Sequence, residues 1–358
     1  MTLPPNHAAF LTSYTRRQPL RVEETEDRYP NENELVIKTA AVAINQLDWK
    51  MQDTPWTNFN YPLILGVDVA GEVIDVGSDA AAASQFSIGD RVLGHALRFA
   101  TNDDRHAGFQ EHTVLWANMA ARIPASLSFE SAAVLPLGVS TASAALFQRG
   151  TLNLPLPSLN PVKQSTTGTT TTVLVWGGTS SVGSNAVQLA VAAGCEVIAT
   201  ASRRNFEIVR RLGAVDVVDY SSGDVVEELI RAFEGRRLAG AFDAIGTVES
   251  LRPTLEAVSR IVGVKKVFTT ADEVDEKLVP SGVKAEPIQA VDIRGEEGED
   301  RDKTIGKKIY EDFLPQALKA GKYLIYPDPW VVGQGLDSIQ AALDASKNSP
   351  GRKVVVTI

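Results

Sequence analysis

The chain has 358 residues, a length that favours two domains over one. Of these residues 44% are hydrophobic and 22% charged, a composition typical of soluble globular proteins rather than of disordered, fibrous or membrane chains. A net charge of -9 would repel a phosphate backbone, so nucleic acid is excluded as a partner. No signal-peptide pattern is present and the single cysteine, Cys195, cannot form an intramolecular disulfide, so we expect a cytoplasmic protein with no membrane partner.

The N-terminal part of the chain carries short apolar runs that are separated by turn residues. The runs lie at residues 35–44, 71–76 and 91–93, and Gly, Asp, Asn and Pro stand between them. This pattern predicts a mostly β domain over residues 1–130. A last strand is predicted at residues 353–358, and we expect residues 306–358 to return to this domain.

A different pattern follows Ser131, where apolar strands alternate with amphipathic helices. Strands are predicted at residues 173–176, 196–201, 215–218, 241–245, 265–270 and 285–290, and helices at 185–193 and 205–212. Such alternation predicts βαβ units and a parallel sheet of about six strands. The fold class is therefore α/β, with a doubly wound domain over residues 131–305.

The run VLVWGGTSSVG at residues 173–183 is the clearest site signal in the chain. It reads as a strand, a turn of small residues and the start of a helix, an order that lets backbone N–H groups and the helix dipole face a pyrophosphate. Ser180 stands where the usual fingerprint has its middle glycine. The context of the run therefore predicts dinucleotide binding by Gly178, Thr179, Ser180, Ser181 and Val182.

The residues about 20 positions beyond this turn indicate which dinucleotide is bound. An NAD-selective site offers Asp or Glu to the ribose 2′-hydroxyl there, whereas this chain has Ser202, Arg203, Arg204 and Asn205. A guanidinium and a hydroxyl at a strand end can bind the 2′-phosphate of NADP. We therefore expect NADPH as the cofactor.

A catalytic zinc ion is not predicted. Alcohol dehydrogenation on this architecture usually relies on zinc held by Cys and His ligands. One cysteine and four histidines, at positions 7, 95, 106 and 112, have no spacing that suits such a ligand set. The sequence therefore predicts a zinc-independent protein.

Several pieces of the chain resemble, in the same order, the zinc-independent medium-chain dehydrogenase/reductase superfamily. They are AINQLDWKM at 43–51, GVDVAGEV at 66–73, GDRV at 89–92, LPLGVST at 135–141 and GRKVVV at 351–356. Zinc alcohol dehydrogenases have Gly-His-Glu where this chain has Gly66-Val67-Asp68. The resemblance extends to quinone reductases and to fungal enoyl reductases that act in trans on polyketide assembly lines, which fits IATAS at 198–202 and VDY at 218–220.

The resemblance implies a GroES-like catalytic domain (residues 1–130 and 306–358), a Rossmann domain (131–305) and NADPH as cofactor. By residue matching, the adenosine 2′-phosphate would be surrounded by Ser202, Arg203, Arg204 and Tyr220, and the nicotinamide end by Asp48, Lys50 and Thr141. It also implies a monomer or homodimer.

Three functions remain open at this point. The first is reduction of a carbon–carbon double bond conjugated to a carbonyl, with Thr141 binding the carbonyl oxygen and Lys50 stabilising charge or delivering a proton. The second is reduction of a quinone, and the third is NADPH binding without turnover. Trp56, Phe59, Phe99 and Met51 indicate only that the substrate pocket is apolar, and no docking motif for a carrier domain is present.

Overall fold

The computed structural model describes residues 5–13, 19–54, 59–78, 85–166, 168–295, 304–348 and 351–358. The chain divides into two compact units. The first comprises Met1–Leu137 and Pro327–Ile358, and the second comprises Gly138–Tyr326. Both divisions lie C-terminal to the predicted boundaries, which follow residues 130 and 305.

Strands occur in both units. In chain order they are β1 (Asn6–Leu11), β2 (Arg21–Thr25), β3 (Glu34–Ala43), β4 (Leu63–Ile64), β5 (Asp68–Val76), β6 (Arg91–His95), β7 (His112–Trp116), β8 (Ala120–Arg122), β9 (Ser165–Thr166), β10 (Thr169–Trp176), β11 (Glu196–Ala201), β12 (Asp216–Asp219), β13 (Arg237–Asp243), β14 (Lys266–Thr269), β15 (Lys284–Pro287), β16 (Pro329–Gln334) and β17 (Lys353–Thr357). Every strand predicted from the sequence has a counterpart here, with ends shifted by a few residues.

Helices connect and cover the strands. They are α1 (Gln46–Asp53), α2 (Arg98–Thr101), α3 (Phe129–Ala132), α4 (Pro136–Phe147), α5 (Ser181–Ala192), α6 (Phe206–Arg211), α7 (Val225–Ala232), α8 (Val248–Arg260), α9 (Ile305–Lys307), α10 (Leu314–Lys319) and α11 (Ile339–Ser346). A π-helical turn, Lys308–Phe313, joins α9 to α10.

The first unit is mostly β, as predicted. Its larger sheet has the order β16-β17-β3-β5-β6-β8, with β7 also paired to β3, and its smaller sheet has the order β2-β1-β4. The pairings are antiparallel except for that of β16 with β17. Apolar side chains of β3 and β5, such as Ile37, Val42 and Val69, are fully buried in one core.

The second unit is built on six parallel strands. Their order is β12-β11-β10-β13-β14-β15, so the chain starts in the middle of the sheet and reverses direction between β10 and β13. Val173, Leu174 and Val175 of β10 are fully buried, as expected for a strand covered on both faces. This is the doubly wound order whose ligands bind at the carboxyl ends of the strands, and it confirms the predicted α/β class.

The segment from Ile305 to Tyr326 belongs to the second unit, not to the first as the sequence suggested. Ile305, Ile309 and Leu314 are fully buried, and the Tyr310 hydroxyl lies 2.7 Å from Ser140 Oγ of α4. The chain returns to the first unit only at Pro327. Sequence periodicity could not assign this helix, because an amphipathic helix does not indicate which core it packs against.

Within the described ranges, one helical stretch is long and apolar enough to cross a membrane. It is Phe129–Phe147, and 78% of its most apolar window is buried inside the protein. A helix whose apolar residues are already covered by protein is a core helix, because a membrane span would present them to lipid.

Candidate functional site

The turn between β10 and α5 carries the predicted phosphate-binding run. Gly177 has a φ of +84°, a left-handed conformation that glycine adopts without steric cost. Thr200 of the neighbouring strand β11 holds this turn: the N–H of Gly177 donates to Thr200 Oγ1 at 3.0 Å, and the N–H of Gly178 donates to the Thr200 carbonyl at 2.9 Å. The role of Thr200 could not be predicted from the sequence, because only the sheet brings this residue beside the turn.

Ser180 replaces the middle glycine of the fingerprint and caps α5. Its Oγ accepts a hydrogen bond from the N–H of Gly183 at 2.9 Å, and its own N–H donates to the Gly177 carbonyl at 2.9 Å. Serine is a favoured N-cap because it satisfies one of the helix's unpaired N–H groups. The N–H groups of Ser181 and Val182 follow at the helix start, where the macrodipole favours an anion.

Two further features fit this turn to a pyrophosphate. A side chain at Gly183 would place its Cβ 2.1 Å from the Gly177 carbonyl oxygen, so only glycine allows helix and turn to approach this closely. Ser181 Oγ is buried and has no hydrogen-bond partner among the residues that the structure describes. A buried hydroxyl without a partner is costly, and a phosphate oxygen would supply one.

Arg203 lies at the edge of the sheet where β11 and β12 end. Its Nε donates to Asp219 Oδ2 at 2.9 Å, while the side chain as a whole is 82% exposed. The other oxygen, Asp219 Oδ1, accepts from the N–H and the hydroxyl of Ser221. These Ser221 hydrogen bonds and the Arg203 charge lower the pKa of Asp219, so the carboxylate is ionised and Arg203 is held by a full negative charge.

The other predicted 2′-phosphate ligands surround Arg203. Asn205 Nδ2 donates to Ser202 Oγ at 3.1 Å, Arg204 is exposed, and the Tyr220 ring, next to Asp219, is 48% exposed. The structure therefore brings the predicted hydroxyls and guanidiniums to one exposed edge of the second unit. Asp219 was not among the predicted site residues, although its place beside Tyr220 at a predicted strand end was a usable signal.

Asp243, at the end of β13, braces the loop on the other side of the turn. Its carboxylate accepts hydrogen bonds from the N–H of Ile245 at 3.1 Å and from the hydroxyls of Ser250 and Thr269 at 3.0 Å each. Burial raises the pKa of Asp243, although these donors oppose that shift. This loop packs Ile245 against Gly177, so a Cβ on residue 177 would lie only 2.5 Å from Ile245 Cγ1.

In the first unit, Asp48 braces the start of α1. Its carboxylate accepts the N–H groups of Asn45 at 2.7 Å and Gly66 at 3.2 Å, and its side chain is 0% exposed. Burial raises the pKa of Asp48 to about 7, and the nearby Asp68 carboxylate adds to the shift. These contacts are those of a residue that fixes a loop, and the predicted contact of Asp48 with the nicotinamide end stays a prediction.

The pH dependence of stability tests this state of Asp48. An unfolded aspartate has a pKa of about 3.9, so between about pH 4 and 7 only the folded state keeps the proton and the free energy of unfolding falls by up to about 1.4 kcal/mol per pH unit. Asp48→Asn cannot ionise. Calorimetry should therefore show that the Tm of Asp48→Asn rises relative to that of the wild-type protein over this range, with Asp337→Asn, at an exposed position, as the control substitution. A difference that does not change with pH would contradict the assignment.

The residues around Asp68 do not fit a zinc ion. The motif position that holds histidine in zinc alcohol dehydrogenases is Val67, which is apolar and buried. Asp68 Oδ2 pairs with Lys353 Nζ at 3.0 Å and accepts from Asn45 Nδ2 at 2.9 Å, and Lys353 Nζ also donates to Asn45 Oδ1. This ammonium would repel a metal cation. Among the described residues no group of three or more His, Cys, Asp or Glu could hold a metal.

The histidines that the sequence offered have other surroundings. Burial lowers the pKa of His95 to about 4, so its imidazole is neutral. In the sheet, His95 of β6 is paired with Asp68 of β5. His106 Nε2 lies 2.8 Å from Glu34 Oε1, and His7 Nδ1 lies 2.9 Å from Glu111 Oε2. Zinc independence stays a prediction that these contacts favour.

The two predicted catalytic residues lie in different units. Lys50 is exposed on α1 of the first unit, and Thr141 is 6% exposed on α4 of the second. Their catalytic roles stay predictions. Of the apolar pocket residues, Met51 is buried, Phe59 and Phe99 pack edge to face with centroids 5.7 Å apart, and Trp56 lies outside the described residues.

Comparisons with known proteins agree with this architecture. Residues 31–125 match the alcohol dehydrogenase GroES-like domain family, and residues 181–270 match the zinc-binding dehydrogenase family. A dehydrogenase of Monascus ruber is 41% identical, covering 99% of this chain and 100% of its own. A trans-enoyl reductase of Aspergillus japonicus is 39% identical, covering 91% of this chain and 90% of its own.

A solved structure also shares the fold. A mycobacterial protein in complex with NADPH has a TM-score of 0.67 at 22% identity, covering 99% of this chain and 100% of its own. At this identity the likeness concerns the fold, whereas the two relatives extend over nearly the whole chain at 39% and 41% identity. The chain therefore belongs to the medium-chain dehydrogenase/reductase superfamily of oxidoreductases.

Proposed function

We propose that this protein is an NADPH-dependent, zinc-independent reductase that transfers a hydride to a carbon–carbon double bond conjugated to a carbonyl, in fungal secondary metabolism. The observation that carries the proposal is the exposed Arg203 held by Asp219 beside the phosphate-binding turn. The name of the Aspergillus japonicus relative, a trans-enoyl reductase, supports the reaction class.

The charge arrangement at the sheet edge favours NADPH over NADH. The end of β11, where an acidic residue would bind a ribose 2′-hydroxyl, has Ser202 and Arg203 instead. The carboxylate that is present, Asp219, belongs to the next strand and is paired with Arg203. A 2′-phosphate would therefore meet a guanidinium and hydroxyl donors.

Besides the hydride, the reaction requires hydrogen-bond donors to the carbonyl oxygen, a group that stabilises charge or delivers a proton, and a fixed position for that group. NADPH, held by the turn at residues 177–183 and by Arg203, would supply a hydride to the β-carbon of the substrate, and the resulting negative charge would lie on the carbonyl oxygen. We assign Thr141 Oγ1, with backbone N–H groups, to donate hydrogen bonds to that oxygen, and Lys50 to stabilise the charge or deliver the proton that the α-carbon takes up. Asn45 and Asp48 keep the loop before Lys50 in place.

Substitution at the two assigned residues tests these roles. Thr141→Val and Lys50→Met should each lower kcat about tenfold, because each removes a donor to developing charge, while the Kd for NADPH rises by no more than about threefold, since both residues are expected only at its nicotinamide end. Steady-state kinetics at saturating NADPH and equilibrium binding give both quantities. Thr141→Ser should recover most of the activity, and a loss of NADPH binding in place of kcat would assign Thr141 and Lys50 to the cofactor instead.

The function itself is tested by NADPH oxidation against matched panels of enones, enoyl thioesters and quinones, with NADH and a chelator as controls. Chelator-resistant, NADPH-selective turnover of an unsaturated carbonyl class supports the proposal. Turnover of quinones alone would replace it with an NADPH:quinone reductase. NADPH binding without turnover in any panel would indicate a non-catalytic binding protein.

Partner and location extend the same proposal. The Aspergillus japonicus relative is named a trans-enoyl reductase, so we propose that an enoyl thioester on a carrier domain is also a substrate, and the panel should include carrier-bound and free thioesters. We also propose a cytoplasmic location, because the single cysteine, Cys195, is a buried free thiol and needs no oxidising compartment.

A further inference from the structure

The helix that follows the phosphate-binding turn has a buried polar face that the proposed function leaves unexplained. Gln188 follows Asn185 by three residues and Ser184 by four, so the three side chains share one side of α5, and all three are buried. Burying amides and hydroxyls costs free energy unless they are hydrogen-bonded. Outside α5 itself, the partners of these three side chains in the described part of the chain lie in residues 323–326, at the end of the second unit, a segment that we call the strap.

The strap forms hydrogen bonds with all three side chains of this buried polar face. Tyr323 OH donates to Asn185 Oδ1 at 2.6 Å, the N–H of Leu324 donates to Gln188 Oε1 at 2.7 Å, Gln188 Nε2 donates to the Leu324 carbonyl at 3.1 Å, and Ser184 Oγ donates to the Tyr326 carbonyl at 3.0 Å. Burial raises the pKa of Tyr323 well above its usual range, so its hydroxyl keeps the proton that it donates. The strap is therefore joined to the first half of α5 by buried hydrogen bonds.

Asn185 carries this connection to the first residue of the helix. Its Nδ2 donates to the Ser181 carbonyl at 2.7 Å, while its Oδ1 accepts from Tyr323. Both ends of the amide are thus fixed, and the amide cannot rotate without breaking one of the two bonds. The residue that it holds, Ser181, has a buried Oγ without a hydrogen-bond partner in the described part of the chain.

Helix α4 also packs against the Asn185 amide. A Cβ at Gly138 would lie 2.5 Å from Asn185 Nδ2 and 2.8 Å from the Ser181 carbonyl oxygen. The absence of a side chain at Gly138 therefore allows the α4 backbone to pack directly on Asn185 and Ser181. Asn185 has no room to move, which gives the first turn of α5 one geometry.

We propose that Tyr323 and Asn185 are positioning residues that hold the first turn of α5 in the geometry that binds the cofactor's pyrophosphate. The inference rests on the NADPH binding in the proposed function. Neither residue needs to touch the cofactor: Tyr323 acts on Asn185, and Asn185 acts on Ser181. Oriented donors bind an anion well only when the residues behind them fix their orientation.

The experiment compares two ligands on one variant. In Tyr323→Phe, Asn185 loses a buried donor, and the Kd for NADPH should rise about three- to tenfold, the effect of losing one buried hydrogen bond. The Kd for adenosine 2′-monophosphate, which reaches the Arg203 edge but has no pyrophosphate, should stay unchanged. Both constants are measured by calorimetric titration of the full chain.

Tyr310→Phe is the matched control. It removes an equally buried tyrosine hydroxyl, 2.7 Å from Ser140 Oγ, in the same unit but not on α5. A similar fall in Tm for both variants, with a weaker NADPH affinity only for Tyr323→Phe, supports the inference. Unchanged NADPH affinity, a parallel loss of both ligands, or an equal loss in Tyr310→Phe would overturn it and leave the proposed function intact. A native protein that binds neither ligand would remove both.

Discussion

Replacing Gly183 by alanine should weaken NADPH binding about a hundredfold, because the new methyl group would overpack the phosphate-binding turn. Its Cβ would stand 2.1 Å from the Gly177 carbonyl oxygen and 2.8 Å from the Gly177 carbonyl carbon. Both are backbone atoms, so the turn must shift. The shift would misplace the N–H groups of Ser181 and Val182, which we assign to the pyrophosphate.

The expected loss of NADPH affinity in Gly183→Ala is opposite in direction to the effect of the same substitution on helix stability. Gly183 lies in the first turn of α5, where alanine on propensity alone would stabilise the helix by about 1 kcal/mol. Gly223→Ala is the matched control, since nothing lies within 4 Å of a Cβ there. Calorimetric titration with NADPH gives the two affinities. NADPH affinity that Gly183→Ala leaves unchanged would mean that the pyrophosphate binds elsewhere.

Replacing Arg203 by alanine should raise the Kd for NADPH about 30-fold and leave that for NADH unchanged within about twofold, so that selectivity is lost. In the described part of the chain the Nε of Arg203 is bonded to Asp219, and its two Nη groups are left for the 2′-phosphate. The substitution also leaves the Asp219 carboxylate unpaired beside that phosphate. Both changes act only on the cofactor that carries a 2′-phosphate.

The controls for Arg203 isolate charge from position. Arg210→Ala removes the same charge from an exposed side chain of α6, whose guanidinium lies over the Phe206 ring, and it should change neither affinity by more than about twofold. Asp219→Ala in the Arg203→Ala background should recover part of the NADPH affinity, because it removes the repelling carboxylate. Equal losses for NADPH and NADH in Arg203→Ala would contradict the 2′-phosphate assignment.

Local pattern was enough to predict most of the second unit. The apolar runs that become β10, β11 and β13 alternate with helices, and β11 was placed at its observed bounds, Glu196–Ala201. The turn at residues 177–183 also follows from local pattern, since strand, small residues and helix are consecutive. Such features depend on neighbours in sequence, which is what periodicity reports.

The residues that support the site could not be predicted in this way. Thr200 contacts Gly177 from the neighbouring strand β11, and Tyr323 contacts Asn185, which lies 138 positions away in sequence. Each contact depends on the order of strands or on which core a helix joins. The same cause explains the domain boundary: only tertiary packing assigns the helix that begins at Ile305 to the second unit.

Transfer of a labelled hydride tests the central claim most directly. The protein is incubated with NADPH deuterated at the transferred C4 position and with an enone or enoyl thioester, and the product is analysed by mass spectrometry and NMR. We expect one deuterium on the β-carbon and an unlabelled proton on the α-carbon. An unreduced alkene, with NADPH consumed only when a quinone is supplied, would contradict the account.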